Sequence, residues 1–402
     1  MPKILMIAAD YPPCLSAGVQ RTYHFAENLL KNGWQPLILS AHPRIYQKLD
    51  HTIKVSPEIQ KNVRRAFALD VSVHLSIKGK YLGFLEDPDK MAPWFYHGWR
   101  VGMSMIKEHE PDVIWSTFPI STAHKIALKL KLKTGKPWVA DFRDPLHSHC
   151  EENYKNITKQ AKTIDEDTLT YADLVVFATQ KMRDLYHRAY PQFDGKKLVV
   201  IENGYDDDYF ENIVKKKLIG SAFTMLYSGA LYPLGRDPLP LFKAISCLLR
   251  SEKISKANFK LRFRGSGDGV NYESDIAKFN LKDIVEFLPS ISFSDSIQEM
   301  KNADGLLVLQ GRNFNNQIPG KLYEYIATGN PILGLVGKGG ATEDLINDLS
   351  NGFSVEESDV ESIKDAIMNL MLGGFTPNTD YIKYSRSNKA SELVELLTTR
   401  FI

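Results

Sequence analysis

Cysteine is scarce. Cys14, Cys150 and Cys247 are the only thiols in 402 residues. Three cannot all pair within one chain, and none stands at a metal-ligand spacing from another. The pattern excludes a disulfide scaffold and a zinc ribbon and points to a reducing cytoplasm. Long apolar runs are missing as well. None approaches the roughly 18 residues of a membrane span. The opening MPKILMIAAD, followed by YPPC, reads as a buried strand rather than a cleaved leader. No low-complexity segment or short internal repeat appears, and no G-x-G-x-x-G fingerprint follows the first strand. A net charge of only +2 gives no reason to expect a nucleic-acid partner.

What is present is ordinary for a globular chain, and 402 residues suit two domains better than one. The small net charge hides an asymmetry. Residues 1–200 carry 28 Lys and Arg against 21 Asp and Glu, a net +7; residues 201–402 carry 22 against 27, a net −5. Apolar runs at 4–9, 36–40, 113–116, 138–141, 174–178 and 198–201 read as buried parallel strands, with amphipathic segments such as 22–32 and 121–134 between them. The second half repeats the alternation with runs at 224–227, 260–264, 284–288, 305–309 and 332–335. Two doubly wound α/β domains follow, residues 1–205 and 206–402, with a turn at 204–212 between them. Residues 43–105 interrupt the first as an insertion rich in basic and aromatic side chains, among them Lys78, Lys80 and Trp94.

Residues 317–331, QIPGKLYEYIATGNP, concentrate the chemistry. Pro319 suits a first helical turn, Gly329 a C-terminal cap, and Pro331 blocks continuation. Leu322, Tyr325 and Ile326 share an apolar face, and Lys321, Glu324 and Thr328 fall on another. A helix N-terminus and a lysine favour phosphate, while a carboxylate can accept hydrogen bonds from two sugar hydroxyls. Taken alone, a Lys–Glu pair at this spacing is equally a surface ion pair worth a few tenths of a kcal/mol.

The pattern P-x-K-x-x-E-Y-x-A-x-G-x-P resembles the donor-site helix of GT-B retaining glycosyltransferases of the family-4-like kind, glycosyl transferases group 1, of the surface-polysaccharide type. Many members carry a glutamate eight residues before Glu324; here that position is Asn316. The first loop, residues 12–21, resembles the family's P-P-x-x-x-G-G-x-x-R, with Ala17 for the first glycine and Gly18 and Arg21 retained. The segment PWVADFRDPL at 137–146 resembles the family's D-x-R-D signature, with Arg143 either paired to Asp141 or touching phosphate. YSGALYPLGRDP at 227–238 repeats the strand–turn–helix logic around Gly229, with Arg236 near the place of the family's lysine, and RFRGSGDG at 262–269 resembles the strand exit beside the base, with Gly265.

The resemblance implies two doubly wound Rossmann-like domains facing each other across a cleft. It implies sugar transfer from a nucleoside diphosphate (UDP or GDP) donor to a glycan or lipid-linked acceptor. Gly18, Gly229, Gly265, Glu324 and Tyr325 would bind the donor. Arg236 and Lys321 would stabilise the leaving diphosphate, and Asp144 would face the acceptor or the reacting carbon. Arg21, Arg143 and Trp94 are acceptor-side candidates. No cofactor or metal is implied, since the aspartates at 206–208 look like an interdomain turn rather than a metal-binding D-x-D. The basic and aromatic stretch from Arg64 to Trp99 suits peripheral contact with an inner membrane face. An epimerase of the same fold and a non-catalytic sugar-nucleotide-binding protein are the alternatives.

Overall fold

A computed structural model describes the chain except residues 146–158, 212, 217–221 and 377–379. Cys150, Leu146 and Asn212, read above from the sequence, lie outside the described residues. The chain forms two compact units, one of Met1–Asn203 with Arg386–Ile402, the other of Gly204–Ser385. Helix Arg386–Phe401 thus counts with the first unit, although it follows the second in sequence.

The first unit holds seven parallel strands: β1 (Lys3–Ile7), β2 (Gln35–Ala41), β3 (Val63–Ala66), β4 (Val113–Thr117), β5 (Trp138–Phe142), β6 (Leu174–Phe177) and β7 (Leu198–Val200), in the order β3-β2-β1-β4-β5-β6-β7. Successive side chains of β1 go to opposite faces: Leu5 and Ile7 join one apolar cluster, Ile4 and Met6 the other. Burial on both faces is why this strand reads as an unbroken apolar run. The second unit is a six-stranded parallel sheet: β8 (Phe223–Ser228), β9 (Phe259–Arg264), β10 (Val285–Leu288), β11 (Gly305–Gln310), β12 (Ile332–Val336) and β13 (Gly352–Glu356), in the order β10-β9-β8-β11-β12-β13. The same alternation sends Leu307 and Leu309 to one face and Leu306 and Val308 to the other. Two strands are additional to the sequence reading. β3 and β13 are both sheet edges, and most of their residues are half-buried, so neither carries a long apolar run.

The insertion is locked onto the first unit. Its last helix, Trp94–His109, packs against helix Ser121–Thr134 through Gly98 and Gly102. A Cβ at these positions would stand 2.4 Å from Ile126 Cδ1 and 2.7 Å from Leu130 Cδ1, so the missing side chains set the close approach. Helix Ser121–Thr134 starts without a side-chain cap of its own. Asp89 of the insertion supplies one, accepting from the Thr122 amide at 2.7 Å and its hydroxyl at 2.9 Å. Among the described residues, no helix is long and apolar enough to cross a membrane.

One buried carboxyl makes the unit pH-sensitive. Asp165, on helix Lys159–Tyr171, accepts the Tyr190 hydroxyl at 3.2 Å, and burial pushes its pKa up to about 7. An unfolded aspartate titrates near about 3.9. The folded state therefore holds this proton more tightly, and the contribution present at low pH is lost as pH rises toward 7. Asp165→Asn mimics the protonated form. It should gain on the order of 4 kcal/mol over wild type at about pH 8 and almost nothing near about pH 4, read from urea midpoints across that range.

Candidate functional site

In a doubly wound sheet the loops at the carboxyl ends of the strands, where the strand order reverses, are free to hold ligands. In the second unit that end gathers Ser228, Gln310 and the start of helix Gly320–Thr328. Pro319 is this helix's N-cap (φ −65°, ψ 135°), one residue earlier than a first-turn position. It makes no side-chain cap, and the first turn contains no acidic residue. Pro319 thus leaves these amides without a cap from its own side chain, the arrangement that favours an anion. Gly329 ends the helix in the left-handed conformation at φ 72°, as the sequence signals.

Lys321 Nζ lies 2.6 Å from Glu324 Oε2, with the lysine one-third exposed and the glutamate nearly buried. Lys321 also sits 5.4 Å from the centre of the Phe293 ring, which meets Tyr209 edge-on at 4.7 Å. Neither aromatic gave a signal in the sequence, because they come from distant segments. Thr328 does not share an open polar face with Lys321 and Glu324. It is buried, and its hydroxyl donates to the Tyr325 carbonyl at 2.7 Å.

Tyr325 holds the site's wall rather than facing a ligand. It is fully buried, and its hydroxyl accepts the Ser228 amide at 2.9 Å. Burial drives the phenol far above its ordinary pKa, so it stays protonated. Ser266 ties the next strand exit to this one by donating to the Gly229 carbonyl at 2.6 Å, and Gly265 turns beside it at φ 68°. Arg236 reaches the exit of β11, donating to Gln310 Oε1 at 3.3 Å, and stacks its guanidinium 4.8 Å from the centre of the Tyr232 ring. Its Nε is buried without a hydrogen-bond partner. Both Arg236 and Glu324 act electrostatically on the Tyr325 hydroxyl, which places the two charged groups around one buried phenol.

In the first unit a narrow crevice opens at the reversal between β1 and β4, lined by Ala8, Ala9, Asp10, Gly18 and residues 117–120. Ser16 caps helix Ala17–Lys31, accepting the Gly18 amide at 3.1 Å and donating to Asp10 at 2.6 Å. The Gly18 amide is thus engaged by the protein itself. A Cβ on Gly18 would stand 2.8 Å from Asp10 Oδ2 and 3.4 Å from Arg143 Nη1, so only glycine admits both groups. Burial pulls the Arg143 guanidinium below its usual range, with Asp144 the largest opposing charge; burial likewise raises the Asp144 carboxyl.

Two acceptor-side candidates are engaged in the protein's own structure. Arg21 is buried and grips Asp141, with Nη2 at 2.7 Å and Nε at 3.0 and 3.1 Å. It also donates to the carbonyls of Ile201 at 2.8 Å and Glu202 at 2.9 Å. Thr117 completes the knot, donating to Asp141 at 2.8 Å. Asp141 therefore takes Arg21 as its cation, and Arg21 is spent on structure. Trp94 is fully buried in the apolar cluster of the first unit. Two residues along the same helix, Tyr96 is exposed. The aspartates at 206–208 make a short turn in which Asp206 accepts the Asp208 amide at 3.4 Å. Among the described residues, no group of three or more His, Cys, Asp or Glu is placed to hold a metal ion.

Two family models match adjacent parts of the chain: Glycosyltransferase Family 4 over residues 81–209 and Glycosyl transferases group 1 over residues 208–388. No curated protein sequence matches. Among solved structures, sucrose-phosphate synthase from Thermosynechococcus elongatus superposes with a TM-score of 0.65 at 14% identity, covering 99% of this chain and 95% of that one. The lipopolysaccharide outer core galactosyltransferase WaaB gives 0.65 at 15%, covering 99% of each chain. Anabaena HepE, solved with UDP and glucose, gives 0.63 at 14%, covering 99% of this chain and 100% of that one.

The buried ion pair separates a structural role for Arg21 from an acceptor role. Arg21→Leu strands Asp141 without its cation, and breaking such a pair costs about 3–5 kcal/mol. The thermal midpoint should fall accordingly in calorimetry; a residue that only touched acceptor would leave it unchanged.

Proposed function

The chain belongs to the family-4-like GT-B glycosyltransferases, and we propose that it moves a sugar from a UDP or GDP donor to a glycan or lipid-linked saccharide with retention of anomeric configuration. The observation that carries this reading is the paired Lys321 and Glu324 at a helix N-terminus whose N-cap residue, Pro319, supplies no side-chain cap. The diphosphate would lie over the first turn of helix Gly320–Thr328, and the ribose hydroxyls would donate to Glu324. Arg236 has an unspent buried N–H and would meet the leaving phosphate. The UDP held by Anabaena HepE puts UDP-sugars first among donors to try.

In this scheme the acceptor hydroxyl attacks from the face the diphosphate leaves, and a leaving-group oxygen takes its proton. The protein's contribution is electrostatic, by cations and backbone N–H groups set where negative charge grows. Asp144 and Arg143, beside the Gly18 crevice of the first unit, are the polar groups proposed for the acceptor side. No metal takes part in this reading.

Three measurements test it. Glu324→Gln should weaken UDP binding by about 1.5–3 kcal/mol in calorimetry, roughly ten- to 150-fold; unchanged affinity would remove Glu324 from the ribose. Arg236→Ala and Lys321→Ala should lower turnover more than donor affinity, because charge builds in the transition state. Full turnover in either folded variant would discard the assignment. Activity in excess EDTA should equal activity with added magnesium or manganese, and a loss restored by one divalent ion would return the aspartates at 206–208 to consideration.

A further inference from the structure

Residues 71–85 of the insertion, VSVHLSIKGKYLGFL, contain two lysines and no acidic residue. They begin with the short helix Val71–His74 and run into the turn Gly83–Glu86, which packs against that helix. Between them the chain makes a tight hairpin. Ile77 and Lys80 exchange both backbone hydrogen bonds, at 2.8 and 3.0 Å. The two loop residues, Lys78 and Gly79, are both left-handed, at φ 52° and 76°. That is a two-residue hairpin loop whose first position favours Asn, Asp or Gly. Here the position is a lysine, held in a conformation it disfavours, at the tip.

The base of this structure is fixed and the tip is bare. Asp70 caps the short helix and pairs with Lys90 at 3.0 Å, Tyr81 donates to Glu86, and Asp89 is bound to Thr122. The acidic groups are thus gathered at the base and engaged there. At the tip, Ile77 is 79% exposed, Leu82 62% and Phe84 72%, with Leu75 also exposed. Apolar side chains of this size, open to water on a rigid base and flanked by cations without anions, suit one surface above others. An anionic bilayer buries the rings and aliphatic chains below its headgroups while its phosphates meet the lysines.

We propose that residues 75–84 are an interfacial membrane anchor. Ile77, Leu82 and Phe84 enter the headgroup–acyl boundary, and Lys78 and Lys80 contact lipid phosphate. This deepens the reading of a lipid-linked acceptor and rests on that reading for its purpose, since the anchor would bring the first unit to the surface where such an acceptor lies.

The test is sedimentation of the full chain with phosphatidylcholine vesicles, with and without phosphatidylglycerol. Wild type should bind the anionic vesicles at low salt. The triple variant Ile77→Ser, Leu82→Ser, Phe84→Ser should lose at least about tenfold in partition at every salt concentration, since each buried apolar group contributes independently of charge. The double variant Lys78→Glu, Lys80→Glu should lose binding mainly at low salt. Calorimetry with UDP on each variant shows that the second unit is intact and tests the donor reading separately from the anchor. The proposal is overturned if wild type ignores anionic vesicles or if the serine variant binds them as wild type does. It is equally overturned if light scattering without lipid finds a wild-type dimer that the serine variant abolishes, which would assign the surface to a second copy of the chain.

Discussion

The Arg21–Asp141 pair holds the carboxyl end of the first sheet together. Asp141 is the fourth residue of β5, Thr117 the last of β4, and Arg21 enters from the first helix; Ile201 and Glu202 follow β7. Four segments that share no local sequence therefore converge on one carboxylate and one guanidinium. A planar fork with several N–H groups can serve a carboxylate and two carbonyls at once, which lysine cannot. With those groups satisfied, Asp10, Gly18 and Arg143 remain around the crevice at the strand reversal.

The second unit solves the same problem with neutral groups. The Tyr325 hydroxyl, the Ser228 amide, the Ser266 hydroxyl and the Gly229 carbonyl bind β8, β9 and helix Gly320–Thr328 together without a buried charge. Charge stands beside these groups, on the partly exposed Lys321, the nearly buried Glu324 and Arg236. The Lys321–Glu324 contact means that the free protein neutralises its own lysine. An arriving diphosphate would have to compete with that carboxylate, and a ribose would have to share it, so donor affinity reflects an exchange of partners rather than an empty cradle.

Much of the fold is legible in the sequence, for physical reasons. Residues 4–9 are apolar throughout because both faces of β1 are covered. Helix Gly320–Thr328 is bracketed by a proline and a glycine whose backbone preferences match their positions. The site is legible as residue types but not as contacts. Arg21 and Asp141 stand 120 residues apart, so nothing local reveals that they meet. Trp94 and Tyr96 are two residues apart on one helix, yet one is buried and the other exposed. Aromatic composition marks the segment and is silent about depth. Tyr325 looks like a ligand residue because it follows Glu324, and only the register of the helix against β8 turns it inward.

The terminal helix, Arg386–Phe401, sends Ala390, Leu393 and Leu397 into the cluster that also contains Ile4, Met6 and Ile38. Arg386 donates to Gln20 at 3.1 Å, and Lys389 pairs with Glu202 at 3.2 Å. One face of the first sheet is thus completed by residues made after the whole second unit. During synthesis on the ribosome, Phe25, Leu29 and Ile59 can cover part of that face early, but its last part stays open until some two hundred later residues have emerged. The segment made first is therefore among the last to be fully sealed, and for that interval part of its apolar surface is open to whatever chaperones attend the nascent chain.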